Sequence, residues 1–335
     1  MSGPPVSVLI PFRNAEAFFE QALASVASQT FGDIEVVMVD DGSTDSSRAI
    51  AERWCGKDRR YRLADSSGSG LVDALNAGLR LCRGSWVARM DADDICMPDR
   101  IGRQLELARR CGPRTVVTCR VRSFPRDVVT EGYRAYENWL NRLTEPEEIE
   151  KNLFVESPVP HPTAFYHRGV LREGGYMERE LPEDYELWLR LWSRGYRFAR
   201  VPEVLLLWRD RPDRLSRTSP AYSLTGFYRL KARYLELVPC MSGKRIYVAG
   251  AGQTARRLGR CLQDNGFRIE AFLAPSPGRR IGSLRGRPVL STDALKDNPG
   301  VPVVIASRQP GARSAISEFL RGIGLREWKD FVACS

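Results

Sequence analysis

The sequence has few histidines, no paired cysteine motif and no long apolar segment, and each absence excludes a class of protein. Its histidines are His161 and His167, and this small number argues against catalysis by a histidine pair and nearly excludes a histidine-rich metal site. The eight cysteines show no Cys-x-x-Cys spacing. This argues against structural zinc and favours free thiols in a reducing cytosol. No apolar run approaches the ~20 residues that a membrane-spanning helix needs.

The chain also lacks the marks of an export signal, since neither a charged region nor an apolar stretch follows Met1. The sequence therefore predicts a cytoplasmic protein. With 335 residues and 43% hydrophobic content, it is typical of a soluble globular protein with two domains.

Positive charge is concentrated in the C-terminal part of the chain. From Lys244 onward, 16 Lys and Arg face 7 Asp and Glu, whereas the first 243 residues hold 35 against 34. A solvated basic surface explains this excess, and so does contact with an anionic partner such as lipid headgroups at the inner face of a membrane. We expect no nucleic-acid partner.

The most informative segment begins at Trp86 and ends in a group of acids. An apolar run to Met90 predicts a buried strand, and Asp91, Asp93 and Asp94 follow it directly. Carboxylates this close repel one another unless a cation is held between them. Mg²⁺ and Mn²⁺ prefer oxygen ligands, so the pattern predicts a divalent cation.

A strand–helix alternation surrounds this segment. Strands are predicted at 6–10, 34–39 and 86–90, and helices at 15–29, 71–82 and 98–111. The alternation indicates a largely parallel sheet with covered faces, in which ligands bind beyond the carboxyl ends of the strands. Pro11, Asp40 and Asp41, and the acids after Met90, should therefore lie at one edge.

The middle of the chain is less readable. Residues 124–160 receive no firm assignment beyond a variable loop region on the acceptor side, and His161 follows them. A strand is predicted over 198–208, broken at Pro202. Pro182, Glu183 and Asp184 open a predicted helix at 185–194, and an acid at a helix start either caps the helix or serves chemistry.

The last part of the chain predicts a second, smaller αβ domain. Gly250 and Gly252 form a glycine turn between a strand and a helix, which is similar to a dinucleotide-binding fingerprint. The next strand ends in Leu273 and Ala274 without the acid that normally binds the ribose. An NAD(P)-linked sugar-modifying activity and a scaffold or membrane-docking role both stay open for this domain.

The chemistry of the first part is more specific. A cation bound to carboxylates and substrate phosphates favours a nucleotide diphosphate as the ligand. A further carboxylate later in the chain could deprotonate an incoming hydroxyl. Together these features predict transfer of a group from a nucleotide diphosphate to an alcohol.

Four segments resemble the motifs of family 2 glycosyltransferases, in the family's order and spacing. They are Val6–Asn14 (VSVLIPFRN), Val39–Ser46 (VDDGSTDS), Gly70–Arg103, which contains MDADD, and Pro182–Leu191 (PEDYELWLRL). The resemblance implies an α/β protein with the GT-A nucleotide-diphospho-sugar transferase fold over residues 1–225. A helical connector over 226–243 and a Rossmann-like domain over 244–335 would follow.

The resemblance also implies an inverting transferase that uses a nucleotide-sugar donor and Mn²⁺ or Mg²⁺. Its acceptor would be a glycan or a lipid-linked sugar, in the synthesis of a cell-surface or secreted polysaccharide or glycolipid. Asp93 would bind the metal, and Asp184 would be the general base. The implied substrate-binding residues are Pro11 in the nucleotide pocket, Asp41 at the base, Asp91 by the ribose and diphosphate, Asn76, His161 and Arg217.

The chain departs from the family's pattern in two places within this region. Many members carry an arginine where this chain has Leu75, and many carry Arg-x-His where this chain has Arg209-Asp210-Arg211. Arg211 or Arg217 is then expected to supply the missing positive charge.

Overall fold

The computed structural model describes residues 4–66, 68–274, 282–297 and 300–335. Contacts divide the chain into two compact units. The first unit comprises Met1–Glu150, Pro158–Arg179 and Glu186–Thr218; the second comprises Lys151–Ser157, Glu180–Tyr185 and Ser219–Ser335. The domain division proposed from the sequence, 1–225, 226–243 and 244–335, stays a prediction. Within the described ranges, no helix is long and apolar enough to cross a bilayer.

The first unit is built on an eight-stranded mixed sheet with the order β3-β2-β1-β4-β7-β6-β8-β5. Its strands are β1 (Val6–Phe12), β2 (Ile34–Asp40), β3 (Tyr61–Asp65), β4 (Trp86–Arg89), β5 (Ile95–Cys96), β6 (Thr115–Phe124), β7 (Phe165–His167) and β8 (Arg197–Arg209). Strands β1 to β4 are mutually parallel. This confirms the α/β class expected from the sequence.

Helices lie between these strands along the chain, and a last, short helix follows β8. They are α1 (Glu16–Ala27), α2 (Ser47–Lys57), α3 (Leu71–Leu81), α4 (Arg100–Cys111), α5 (Glu131–Arg142), α6 (Pro146–Lys151), α7 (Glu183–Ser193) and α8 (Leu215–Thr218). Every residue of β1 and β2 is buried. Helix α3 contacts both strands, and it approaches them so closely that a Cβ at Gly78 would lie 2.2 Å from Cδ1 of Leu9.

Two expectations for the middle of the chain were wrong. Residues 124–160 contain α5 and α6 rather than loops alone. Strand β8 also continues through Pro202, because the pairing of β6 with β8 jumps from Cys119–Val201 to Arg120–Val204. This bulge leaves the proline outside the hydrogen-bonded ladder, where its missing N–H costs nothing.

The second unit contains a six-stranded sheet with the order β11-β12-β10-β9-β13-β14. Its strands are β9 (Arg245–Ala249), β10 (Arg268–Ala274), β11 (Ser283–Leu284), β12 (Arg287–Ser291), β13 (Val303–Ile305) and β14 (Phe331–Ala333). Its helices are α9 (Leu224–Leu235), α10 (Gln253–Asp264), α11 (Ala294–Asp297) and α12 (Ala312–Gly322). All pairings except β11–β12 are parallel. The arrangement is that of an αβ unit with a mostly parallel sheet, and the Rossmann-like assignment of residues 244–335 stays a prediction.

Candidate functional site

An acidic group lies at the carboxyl end of β4, next to the end of β1. One carboxylate oxygen from each of Asp91, Asp93 and Asp94 lies within 4.8 Å of the others. The N–H of Met90 donates to Leu9 O at 3.0 Å, which extends the β1–β4 pairing up to the acids. The group therefore stands at the edge where ligands bind in parallel sheets.

The charges in this group are only partly compensated. Burial raises the pKa of Asp91, but the buried guanidinium of Arg89 forms an ion pair with it and holds the pKa below its ordinary value. Burial also raises the pKa of Asp93, and the neighbouring Asp91 carboxylate raises it further. Burial again raises the pKa of Asp94 well above its ordinary value, and Asp93 and Asp91 add to the effect. A cation at this place would relieve the repulsion.

One oxygen of Asp94 is the strongest single indication of a ligand. Oδ1 accepts the N–H of Arg209 at 2.7 Å, which fixes the carboxylate in place. Oδ2 is buried and has no hydrogen-bond partner among the described residues. A buried acceptor without a partner is costly, so such atoms normally serve a ligand or an ion. With three oxygens in reach, these residues fit a hard divalent cation.

Arg209, the last residue of β8, and the three arginines that follow it bring positive charge to the acids. Nε of Arg211 lies 3.3 Å from Oδ2 of Asp93, and Nε of Arg209 donates to the main-chain oxygen of Asp93 at 2.6 Å. The positive charge of Arg214 lowers the pKa of all three aspartates against the effects that raise them. The segment is therefore electrostatically coupled to the acidic group.

The other arginines of this segment are held by a buried acid and by aromatic rings. Nη2 of Arg217 lies 2.7 Å from Oδ1 of Asp210, whose side chain is 1% exposed. The guanidinium of Arg217 stands 4.5 Å from the ring centre of Tyr133, and that of Arg214 stands 4.4 Å from the ring centre of Trp208. Such stacking orders long side chains while leaving donors for an anion.

Asp41 lies at the same carboxyl edge, after β2. Its Oδ1 accepts the hydroxyl of Ser66 at 2.5 Å and the N–H of Gly70 at 3.4 Å. Pro11 is buried in β1 beside Val39 of β2. The acids after β4, Asp41 and Pro11 thus share the edge predicted from the sequence, while the base and pocket contacts assigned to Asp41 and Pro11 stay predictions.

Asn76 and His161 both meet Tyr176. The side-chain amide of Asn76 donates to Tyr176 O at 2.7 Å and accepts the N–H of Tyr176 at 3.0 Å. Nε2 of His161 lies 2.8 Å from the hydroxyl of Tyr176, and the charge of His161 helps to lower the pKa of Asp91. His161 is therefore close to the acidic group, and the substrate contacts proposed for both residues stay predictions.

Asp184 stands in the first turn of α7 and belongs to the second unit. Its Oδ1 accepts the N–H of Tyr185 at 2.7 Å, which orients the carboxylate. The bond differs from that of a helix N-cap, whose side chain accepts the N–H two or three positions later, because Asp184 is the second residue of α7 and accepts from its neighbour. The role of Asp184 as a base stays a prediction.

Sequence reasoning gave no role to two residues that shape this site, Arg89 and Arg214. It counted Asp94 among the acids that predict a cation, but it assigned the metal to Asp93. A signal for Arg89 was present, because an arginine inside an apolar run needs a buried partner, and Asp91 stands two positions later.

Comparisons with known proteins point to one family. A family model described as glycosyl transferase family 2 matches residues 7–175. The amylovoran biosynthesis glycosyltransferase AmsE of Erwinia amylovora is 33% identical over 222 residues, which is 63% of this chain and 78% of the relative. The putative glycosyltransferase EpsE of Bacillus subtilis is 29% identical over 229 residues, 67% of this chain and 79% of the relative.

Two solved structures have a similar fold. Staphylococcus aureus TarS 1–349 in complex with UDP-GlcNAc has a TM-score of 0.53 at 17% identity and covers 78% of this chain and 71% of its own. The mannosyltransferase PcManGT of Pyrobaculum calidifontis, in complex with GDP-Man and Mn²⁺, has a TM-score of 0.50 at 20% identity and covers 78% and 73%. At sequence identities this low, the structural similarity shows the fold alone.

Proposed function

The chain belongs to glycosyl transferase family 2, and from this premise we propose that it transfers a sugar, with inversion, from a nucleotide diphosphate to an acceptor hydroxyl. Membership makes it a glycosyltransferase with a GT-A fold; the donor, the cation and the stereochemistry are the proposal. We propose Mn²⁺ or Mg²⁺ as the cofactor.

The observation that carries the proposal is the unpartnered Oδ2 of Asp94 within the group of three carboxylates. Asp93 and Asp94 would hold the cation, while the Arg89 ion pair keeps Asp91 charged towards the nucleotide. When bound, the cation would neutralise charge that develops on the diphosphate leaving group.

The arginines after β8 would hold the other side of the diphosphate. Arg211, Arg214 and Arg217 offer a cationic surface beside the acids, and guanidinium groups match phosphate oxygens in pairs. This arrangement supports the expectation that Arg211 or Arg217 replaces the positive charge missing from the family's Arg-x-His pattern.

Asp184 is the proposed general base. In an inverting displacement the base must lie on the face opposite the leaving group, so it has to come from outside the group that holds the diphosphate. The N–H of Tyr185 donates to Oδ1 of Asp184 and orients the carboxylate, and a carboxylate held in this way can accept the proton of the acceptor hydroxyl.

We propose that the acceptor is a growing glycan or a lipid-linked sugar in polysaccharide synthesis, since one relative carries amylovoran biosynthesis in its name. The excess of Lys and Arg from Lys244 onward supports a contact with anionic lipid. Flotation with anionic and neutral vesicles tests that contact, and equal recovery with both would contradict it.

The release of nucleotide diphosphate from a panel of UDP-, GDP- and dTDP-sugars, with Mn²⁺, with Mg²⁺ and with EDTA, tests the proposed transfer. We expect EDTA and Asp93→Asn to reduce release by at least about 100-fold, the effect of losing a metal contact at a developing charge. Asp184→Asn should lower kcat at unchanged donor affinity, because a base acts on the acceptor.

Asp33→Asn is the matched control, since Asp33 is an exposed carboxylate before the amino end of β2. Full release by both Asp93→Asn and Asp184→Asn would overturn the assigned mechanism. NMR of the product shows whether the transferred sugar has inverted or retained its anomeric configuration.

A further inference from the structure

The second unit contains a cleft of about 820 Å³ at the carboxyl ends of its parallel strands. Its walls come from the turn after β9, the segments after β12 and β13, and one face of α12. Strand β9 has β10 on one side and β13 on the other, so the chain changes direction across the sheet at this point. Crevices at such switch points are the usual ligand sites of open parallel sheets.

The turn after β9 fits the approach of a ligand to the main chain. Gly250 has a φ of +131°, and a Cβ there would lie 2.4 Å from the carbonyl oxygen of Ala306. Only glycine can therefore bring the turn this close to the end of β13. Gly252 lines the cleft with no atom within 4 Å of its Cβ position, which leaves open space in front of the turn.

The polar part of the cleft suits a phosphate. Gly252 is the N-cap of α10 and provides no side-chain cap, so the first N–H groups of a twelve-residue helix face the cleft region around Gln253 and Thr254. Arg308 also lines the cleft, and its guanidinium forms no hydrogen bond or ion pair with the described residues. A cation and a helix N-terminus in one cavity favour an anion.

The opposite wall is apolar and suits a flat ring. Ala315, Ile316 and Phe319 of α12 line it, and Phe319 remains 39% exposed. An exposed aromatic side chain facing a cavity offers stacking to a nucleobase, and such stacking does not depend on base identity.

We propose that this cleft binds a phosphorylated nucleoside, with its phosphates at the Gly252 turn and Arg308 and its base against Phe319. The site is separate from the acidic group of the first unit and does not depend on the function proposed there. The sequence holds no acid between Leu273 and Arg287 to bind the ribose of a dinucleotide.

Titration calorimetry of the full chain with UDP, GDP, ADP and NADH tests the proposal. Gly252→Asp would place a carboxylate at the N-cap, where it bonds the helix's own N–H groups and repels phosphate. Because aspartate is a better N-cap than glycine, this variant should melt no lower than the wild type. We expect Gly252→Asp to bind one molar equivalent of nucleotide fewer than the wild type. Arg308→Ala should keep this equivalent but raise its Kd about tenfold.

Two controls separate this site from the proposed donor site. Gly32→Asp adds the same charge at an exposed loop position with open space around it, and it should bind as the wild type does. Asp93→Asn should keep the equivalent that Gly252→Asp removes. Equal binding by wild type and Gly252→Asp for all four nucleotides would overturn the proposal, whether or not the first unit binds a donor. If Gly252→Asp loses the binding of NADH alone, the ligand of the cleft is a dinucleotide.

Discussion

The replacement of Asp94 by asparagine should stabilise the metal-free protein and weaken its binding of a cation. In the wild type, Oδ2 of Asp94 is buried without a partner beside the carboxylates of Asp91 and Asp93. Asparagine keeps an oxygen for the N–H of Arg209 and replaces Oδ2 by an amide group that can donate to the neighbouring acids. The substitution thus removes a repulsion and satisfies a buried atom.

The magnitude follows from the cost of an unsatisfied buried group, about 1–3 kcal/mol. For a domain of 150–250 residues, 1 kcal/mol corresponds to a shift of about 2–4 °C in the melting temperature. We therefore expect Asp94→Asn to melt at least about 2 °C higher than the wild type in EDTA. Differential scanning fluorimetry measures this directly.

Added Mn²⁺ should reverse the order. A cation at 100 times its Kd stabilises the folded state by about 2.7 kcal/mol, and the variant, with one carboxylate fewer, should gain less. Asp94→Ala distinguishes the effect of the charge from that of the hydrogen bond to Arg209. It removes the acceptor for the N–H of Arg209 as well as the charge, so it should destabilise the protein both in EDTA and in Mn²⁺. A lower melting temperature for Asp94→Asn than for the wild type in EDTA would refute the reasoning.

Two further perturbations test the fold around the site. Buried Glu35 accepts hydrogen bonds from the hydroxyl of Ser7 and from the main-chain N–H of Arg83, both at 2.6 Å. Burial raises the pKa of Glu35, but these hydrogen bonds hold it below its ordinary value of 4.5. The ionised Glu35 therefore stabilises the folded state fully above pH 4.5, and this stabilisation is lost as the pH falls through the folded-state pKa. In Glu35→Gln the free energy of unfolding should consequently fall less steeply on the acid side of a plot against pH. A slope equal to that of the wild type would contradict this. Gly78→Ala should lower the free energy of unfolding by about 1–3 kcal/mol in a urea titration, because the methyl group would overlap Leu9, whereas Gly32→Ala should not.

The edge that carries the candidate site could be predicted from the sequence because it depends on local patterns. The alternation of strands and helices sets parallel strands, and parallel strands bring their carboxyl ends together. Asp41 and the acids after Met90 could therefore be predicted to lie at one edge of the sheet without knowing any long-range contact.

The features that the sequence did not reveal depend on contacts between distant segments. Asp94 acquires its importance from Arg209, more than a hundred positions later, and Asn76 meets the main chain of Tyr176. The bulge that accommodates Pro202 exists only because β6 pairs with β8. Helices α5 and α6 were missed because they bury few side chains, which are Glu137 and Leu140 in α5 and Ile149 in α6.

The short turn that bears the acids is fixed at both ends by the sheet. Strand β4 precedes it, β5 follows it, and β5 pairs with β8 through Ile95–Leu207 and Cys96–Leu206. The conformational entropy of this turn is therefore lost when the protein folds and not when a ligand arrives. A cation should then bind with little ordering of the turn. An insertion between Met90 and Ile95, which an ordinary surface loop would tolerate, should abolish binding while leaving most of the fold intact.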